Sequence, residues 1–265
     1  MIFVNEQIRQ SGPDTTDTEL PRTSKISVIL PAYNEGKVIT EVLTRLNNCL
    51  EGTGYVFEII VVSDGSTDDT SERAQQTEIS NLKIVEYFPN KGKGFALREG
   101  FGHCSGEIIA FYDGDLDIHP DSLLVLLEIL KFQHADVVIA SKTHPNSNIT
   151  YPIIRRIQSK AFKSLVRLVF DLSITDTQTG LKIFKRECLE QQLYLVTTNG
   201  FAFDLELLAR LSPSSVIIEG PVEIDFKFDS KIRILEPIRM LFDVAKIRKK
   251  LWEETWKTRH LKQKL

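Results

Sequence analysis

From Ile26 to Ala140 the chain alternates short, β-branched apolar runs with stretches whose apolar residues recur at helical spacing. The first run is Ile26-Ser27-Val28-Ile29-Leu30, and a helical pattern over 38–50 follows it. Strand patterns then fall at 57–62, 83–86, 107–112 and 137–140, and helix patterns at 67–76, 95–104 and 122–131. Such alternation predicts βαβ units and therefore an α/β fold, a mostly parallel sheet flanked by helices.

Beyond residue 140 the alternation weakens. A helix is predicted over 151–170, a polar turn entering a strand over 175–184, a helix near 203–211, and strands around 216–218 and 222–228. From Ile238 the pattern reads as one long helix. The expected organisation is a flexible leader over 1–24, a catalytic domain over 25–234 and a basic amphipathic C-terminal helix over 235–265.

Composition narrows the function classes. The 265 residues are 42% hydrophobic and 26% charged with a formal net charge of -3, ordinary values that give no sign of a nucleic-acid partner. Cys49, Cys104 and Cys188 are scattered, without the CxxC spacing of a zinc or redox site, which fits a reducing cytosol. The leader is polar and lacks the apolar stretch of a secretory signal, and no apolar run approaches the roughly 18 residues of a membrane span.

Ligands of doubly wound sheets bind at the carboxyl ends of the strands. Three polar loops are expected there: Pro31-Ala32-Tyr33-Asn34-Glu35, Ser63-Asp64-Gly65-Ser66-Thr67-Asp68-Asp69, and Asp113-Gly114-Asp115-Leu116-Asp117. Alternate aspartates after a buried strand can offer hard oxygen donors to Mg²⁺ or Mn²⁺, which would bridge diphosphate oxygens. The competing reading is an acidic turn in which Asp121 or Ser122 caps the next helix.

The Asp64 loop resembles a calcium loop only superficially. Asp69 stands at the position that needs Gly, and Gln75 at the position of the closing Glu. Ser66 or Thr67 is expected to cap the following helix, while Asp64 could accept hydrogen bonds from a nucleobase. Lys91-Gly92-Lys93-Gly94 and the following Arg98 could approach a phosphate, although the GxxxxGK[ST] pattern is absent. In Phe203-Asp204-Leu205-Glu206 the two acids lie two residues apart and cannot share a helix face, so at least one should point inward; helix capping is the alternative for Asp204.

Two basic segments stand out. Residues 151–170 carry Arg155, Arg156, Lys160, Lys163 and Arg167 with no acid, on a stripe of helically spaced apolar residues. From Ile238 onward nine Lys or Arg face three acids, leaving +6, with Trp252 and Trp256 one turn apart. The first fits a lipid surface or an anionic substrate, and equally core packing; the second fits a lipid interface, and equally packing on the domain or contact with another subunit.

Taken in order, five loops resemble those of family 2 glycosyltransferases of GT-A fold, the group of dolichol-phosphate mannose synthases, dolichyl-phosphate glucosyltransferases and polyprenyl-phosphate relatives. They are Val28 to Glu35, Asp64 to Asp68, Asn90 to Gly94, Asp113 to Leu116, and Asp176-Thr177-Gln178-Thr179-Gly180-Leu181-Lys182, within a resemblance spanning roughly 25–234. The resemblance implies a GT-A (Rossmann-like) domain with an acceptor-side amphipathic helix. It implies an enzyme that moves one hexose with inversion from a nucleotide diphosphate sugar, GDP-mannose or UDP-glucose, to a polyprenyl or dolichyl phosphate at the cytoplasmic face of a membrane.

By the same resemblance Pro31, Tyr33, Glu35, Asp64, Lys91, Gly92 and Asp113 bind the nucleotide, and Asp113, Asp115 and Asp117 hold Mg²⁺ or Mn²⁺. Asp117 replaces the Gln common in relatives. Lys142, where relatives carry Arg, joins Arg155, Ser159 and Lys231 around the acceptor, and Asp115, Arg155, Lys142 and Asp176 form the catalytic set. A phosphate acceptor needs no strong base, because its second pKa is about 6. A hydroxyl acceptor would need one, and Asp176 or Asp204 would be the candidates. The QxxRW sequence of processive relatives is absent, which favours transfer of a single sugar. A nucleotidyltransferase would show a glycine-rich loop after the first strand, where this chain has Pro31 to Glu35. A non-catalytic nucleotide-sugar-binding subunit would not need the acidic pair Asp113 and Asp115.

Overall fold

The computed structural model describes residues 24–147, 166, 169–170, 172, 174–200, 202–224 and 242–254. Its elements are β1 (Ile26–Ala32), α1 (Ile39–Glu51), β2 (Phe57–Asp64), α2 (Thr70–Gln75), β3 (Leu82–Tyr87), α3 (Lys93–Gly102), β4 (Ile108–Phe111), α4 (Asp121–Phe132) and β5 (Val137–Ala140). After these come β6 (Lys182–Lys185), α5 (Arg186–Leu193), α6 (Ala202–Leu211), β7 (Ile217–Gly220) and a C-terminal helix α7 over 242–254.

The seven strands lie in the order β3-β2-β1-β4-β6-β5-β7. All neighbours are parallel except β6, which runs antiparallel to β4 and β5. Side chains alternate across the sheet, so each strand feeds two cores. Val28, Leu30, Ile59, Val61 and Val138 face α1, α2 and α4, whereas Ile29, Ile60, Val62, Phe111 and Ile139 face α3, α5, α6 and α7. Burial on both faces is why β1 and β2 read as nearly unbroken apolar runs.

From β1 the chain proceeds through β2 to β3 on one side, then crosses through α3 to place β4 on the other side of β1. The loops after β1 and β4 therefore diverge at the switch point, leaving a crevice there. At the opposite, amino end of the strands Glu58 is buried. Its carboxylate accepts from Lys83 Nζ (2.8 Å), Lys25 Nζ (3.1 Å), Ser27 Oγ (2.7 Å), Ser105 N (2.6 Å) and Ser105 Oγ (2.8 Å).

The expected elements up to residue 140 are all present. Helix α5 was not expected: Arg186–Leu193 buries only Leu189 and Leu193, too few for a periodic signal. Of the strand expected over 222–228, the described residues show only an antiparallel bridge between Ile224 and Ile118. The helix expected over 151–170 and the leader lie almost wholly outside the described residues, as does the tail beyond 254.

Candidate active site

The loop after β1 is shaped by the loop after β2. Asn34 adopts a left-handed backbone (φ 58°), which Asn tolerates better than most residues. Its Oδ1 accepts from Thr67 N (2.8 Å), while Asn34 N donates to Ser66 Oγ (3.1 Å). Glu35 N donates to Thr70 Oγ1 (2.9 Å) and Gly36 N to Asp68 Oδ2 (3.1 Å). Ser66 and Thr67 thus hold the neighbouring loop rather than cap α2. The cap position of α2 is Asp69, which makes no side-chain cap bond, while Asp68 just before it accepts from Thr70 N through Oδ1 (3.1 Å).

Asp64, buried at the end of β2, organises the glycine-rich loop. Its carboxylate accepts from Tyr87 OH (2.9 Å), Lys91 N (2.7 Å) and Gly92 N (2.9 Å). Gly92 sits at φ 92°, and a Cβ there would lie 2.6 Å from Asn199 O, so only glycine fits. Lys91 Nζ turns away over the Tyr87 and Phe95 rings at 5.0 and 4.3 Å from their centroids. Arg98, expected near phosphate, instead donates to Val196 O and Thr198 O, both at 3.3 Å, and to Asn199 Oδ1.

A cavity of about 520 Å³ opens where these loops meet, lined among others by Pro31, Tyr33, Glu35, Asp64, Gly92, Asp113, Asp115 and Asp204. Of the residues named from the sequence for the nucleotide, only Lys91 is absent from its wall. Lys93, Asn90, Gln178 and Gly200 also line it. Lys93, Asn90 and Gln178 belong to loops already named from the sequence, whereas Gly200 was not singled out, because only the fold carries its loop to this edge.

Charges alternate through the floor. Asp113 Oδ1 lies 2.7 Å from Lys93 Nζ, which is 3.8 Å from Asp204 Oδ2. Asp204 Oδ1 lies 2.7 Å from the buried Lys182 Nζ, which also donates to Thr179 O (2.6 Å). Burial alone would push the Asp204 carboxyl up, but Lys182 and Lys93 hold it below the usual carboxylate range. Asp204 is therefore an ion-pair member and not a helix cap. Asp113 also packs against Gly180, where a Cβ would collide with its carboxylate.

The remaining acids repel one another. Burial, then Asp113 and Asp117, push the Asp115 carboxyl up to about 6. Burial, then Asp115 and Asp68, raise Glu35 to about 7. Between them Leu116 takes a left-handed backbone (φ 63°), and Asp117 N donates to Asp115 Oδ1 (3.2 Å). Asp121 and Ser122 do not cap α4; Ser122 Oγ accepts from Glu223 N (3.0 Å) instead.

Asp176 is satisfied elsewhere. Its carboxylate accepts from Lys142 N (2.9 Å), Gln178 N (3.1 Å), Thr179 N (3.3 Å) and Thr179 Oγ1 (2.8 Å), while its own N–H and that of Thr175 donate to Glu219 Oε1 at 2.9 Å. It pins the start of the 142 loop outside the cavity wall. Arg155, Ser159 and Lys231 lie outside the described residues.

The sequence profile described as "Glycosyl transferase family 2" matches residues 27–193, more than half of the chain. The chain belongs to this family. Relatives of this family 2 member include the glycosyltransferase AglD of Haloferax volcanii, 31% identical over 81% of this chain and 35% of that protein. The dolichyl-phosphate beta-glucosyltransferase of Saccharomyces cerevisiae is 29% identical over 91% of this chain and 79% of its own length. The dolichol-phosphate mannosyltransferase of Pyrococcus furiosus is 31% identical over 79% and 58%. The chain thus spans about a third of the first of these, under two thirds of the last, and most of the yeast protein.

Among solved structures, glucosyl-3-phosphoglycerate synthase of Mycobacterium tuberculosis, crystallised with Mn²⁺, UDP-glucose and phosphoglyceric acid, superposes with a TM-score of 0.69 at 20% identity, covering 89% of this chain and 86% of that one. The fold is of GT-A type. That neighbour was crystallised with a divalent metal, and the donor set here suits one. The cavity gathers hard carboxylate oxygens whose mutual repulsion a cation would relieve. No three such side chains converge on one point among the described residues. Asp115 and Asp117, with Asp113 in exchange for its contact with Lys93, are the side chains that would hold a metal.

Proposed function

We propose that this chain transfers one hexose, with inversion, from a nucleoside diphosphate sugar to the phosphate of a polyprenyl or dolichyl lipid. The observation that carries the choice of acceptor is that neither candidate base is free. Asp176 accepts four hydrogen bonds, and Asp204 is held as a carboxylate between two lysines. A hydroxyl acceptor needs a group to take its proton, whereas a phosphate monoester is already largely ionised near neutral pH. The raised Glu35 and Asp115 carboxyls do not supply that base, since both shifts stem from burial among acids that a cation would neutralise. Relatives named dolichyl-phosphate beta-glucosyltransferase and dolichol-phosphate mannosyltransferase support the same reading.

In this reading Pro31, Tyr33, Glu35, Asp64 and Gly92 hold the nucleoside, with Lys91 holding its loop through ring contacts. Mg²⁺ or Mn²⁺ bound by Asp115 and Asp117, with Asp113, would stabilise charge on the departing diphosphate. Lys93 places an ammonium at the same site, against Asp113. Lys142, whose Nζ has no ion-pair partner among the described residues, together with Arg155, Ser159 and Lys231, would receive the acceptor phosphate. Positioning then carries most of the rate.

The unit that does this is the domain over 25–234, with the C-terminal helix as an added element. We place it peripherally at a cytoplasmic membrane face, held by the basic segments. Among the described residues no helix is long and apolar enough to cross a membrane. The outer face of α7 presents Phe242, Lys246, Arg248, Lys249 and Trp252, with Phe242 and Trp252 65% and 60% exposed. Equal recovery in soluble and anionic-liposome fractions at low salt would contradict that placement. The activity is tested by a donor screen: UDP-glucose and GDP-mannose, each with polyprenyl phosphate and Mg²⁺ or Mn²⁺, assayed for nucleoside diphosphate release. Release with neither donor would refute the assignment.

A further inference from the structure

Helix α7 lies far along the chain from the donor loops, yet a continuous set of polar contacts joins it to the cavity wall. Lys250 Nζ donates to Leu195 O (3.2 Å), Thr197 Oγ1 (2.7 Å) and Glu206 Oε1 (3.0 Å). Glu206, fully buried on α6, turns its other oxygen to Thr197 N (3.1 Å), Thr198 N (3.0 Å) and Thr198 Oγ1 (2.9 Å). Arg210 clasps Glu206 (3.1 Å) and reaches back to Glu254 of α7 (2.9 Å).

The segment so gripped, 195–199, is also gripped from the site side. Arg98 of α3 donates to Val196 O and Thr198 O, and Asn199 O accepts from Gly94 N (2.8 Å) while abutting Gly92. Gly200 and Gly92 both line the cavity. Residues 196–199 have no regular structure of their own and depend on these bonds for position, whereas the glycine-rich loop is also held by Asp64 and runs into α3 at Lys93. A loop held by few bonds is a low-stability element whose ordering is paid at binding unless something orders it beforehand.

We propose that Lys250 of α7, acting through Glu206 and the 195–199 segment, is a positioning residue for the glycine-rich donor loop, so that docking of the C-terminal helix pre-orders the nucleotide site. The proposal rests on the donor-site reading above. It also makes any partner or surface that pulls on α7 a modulator of donor affinity.

Binding of UDP and of GDP, each with Mn²⁺, is measured by calorimetry for the whole chain, together with amide hydrogen exchange in the absence of nucleotide. Lys250→Met should weaken the nucleotide that binds by about tenfold, within the range seen for residues that couple sites without touching the ligand. It should also speed exchange at Thr197, Thr198 and Gly94. Lys250→Arg should recover much of both losses. Lys249→Met, which removes an exposed ammonium 3.9 Å from Glu253 on the outer face, should change neither. If Lys250→Met does not fold, Thr197→Val removes only the hydroxyl that Lys250 meets and should weaken binding in the same direction.

Unchanged affinity and exchange in Lys250→Met, or equal losses in Lys249→Met, would overturn the proposal. Wild-type protein that binds neither nucleotide would overturn the donor-site reading itself, and the link to donor affinity with it; the exchange data report separately on whether α7 orders the loop.

Discussion

Replacing Asp204 by Asn removes one negative charge from the row Asp113, Lys93, Asp204 and Lys182 while keeping the side chain's shape. Lys182 is 1% exposed, and its other polar contact is Thr179 O. The variant therefore leaves a buried ammonium facing a neutral amide. Breaking a buried pair by removing one partner costs about 3–5 kcal/mol, a large share of the roughly 5–15 kcal/mol that holds a domain together. At about 2–4 °C per kcal/mol for a domain of this size, the melting temperature should fall by roughly 6–20 °C. Because the native carboxyl is held below its ordinary range, its stabilisation is present above the unfolded pKa of about 3.9 and fades as pH falls below that value. The fall in melting temperature should therefore be full at pH 7 and shrink towards pH 3. Transfer rates, measured well below the new melting temperature, should stay within about tenfold of the parent, since loss of a true general base costs about 10²–10⁴-fold. A rate loss beyond a hundredfold with little change in melting would instead make Asp204 the base of a hydroxyl-acceptor enzyme.

Three other outcomes are expected. Glu58→Gln should destabilise the fold by about 2–4 kcal/mol in denaturant titrations. Burial opposes the Glu58 charge, but hydrogen bonds from Lys83, Ser27 and Ser105 outweigh it and hold the carboxyl well below the usual range. Its stabilisation is therefore lost as pH falls below about 4.3, and the parent should lose stability on acidification more steeply than the variant. Asp115→Ala should leave melting near the parental value and lower metal-dependent transfer by about 10³-fold or more; transfer at the parental rate would remove Asp115 from the metal site. Gly92→Ala forces a Cβ against Asn199 O at φ 92°, so nucleotide affinity should fall at least tenfold by calorimetry with about 1–2 kcal/mol lost in stability.

The parallel half of the sheet was readable because β1, β2, β4 and β5 are buried on both faces and so stand out as apolar runs ending in polar loops. The reversal at β6 was not, since Lys182-Ile183-Phe184-Lys185 carries no mark of strand direction. Asp64, Asp113 and Asp115 were visible as acids at strand ends. What their carboxylates touch was hidden: Lys93 and Lys182 come from two distant segments to pair with Asp204, and only the folded chain brings them together. Asp176 shows the opposite limit. Its motif was legible, but the four donors that occupy it come partly from residue 142, across the fold. Arg98 likewise looked like a phosphate ligand and proved to be a clamp on 196–199, because a sequence shows a charge without showing its partner.

In the proposed reaction the acceptor oxygen belongs to a phosphate and needs no base. This is tested most directly by offering the full chain one nucleotide sugar with Mn²⁺ and two acceptors of equal chain length, a polyprenyl phosphate and the matching polyprenol, and measuring nucleoside diphosphate release. Release is expected with the phosphate, abolished by chelation, and none above background with the alcohol. Release with the alcohol and not with the phosphate would contradict a phosphate acceptor.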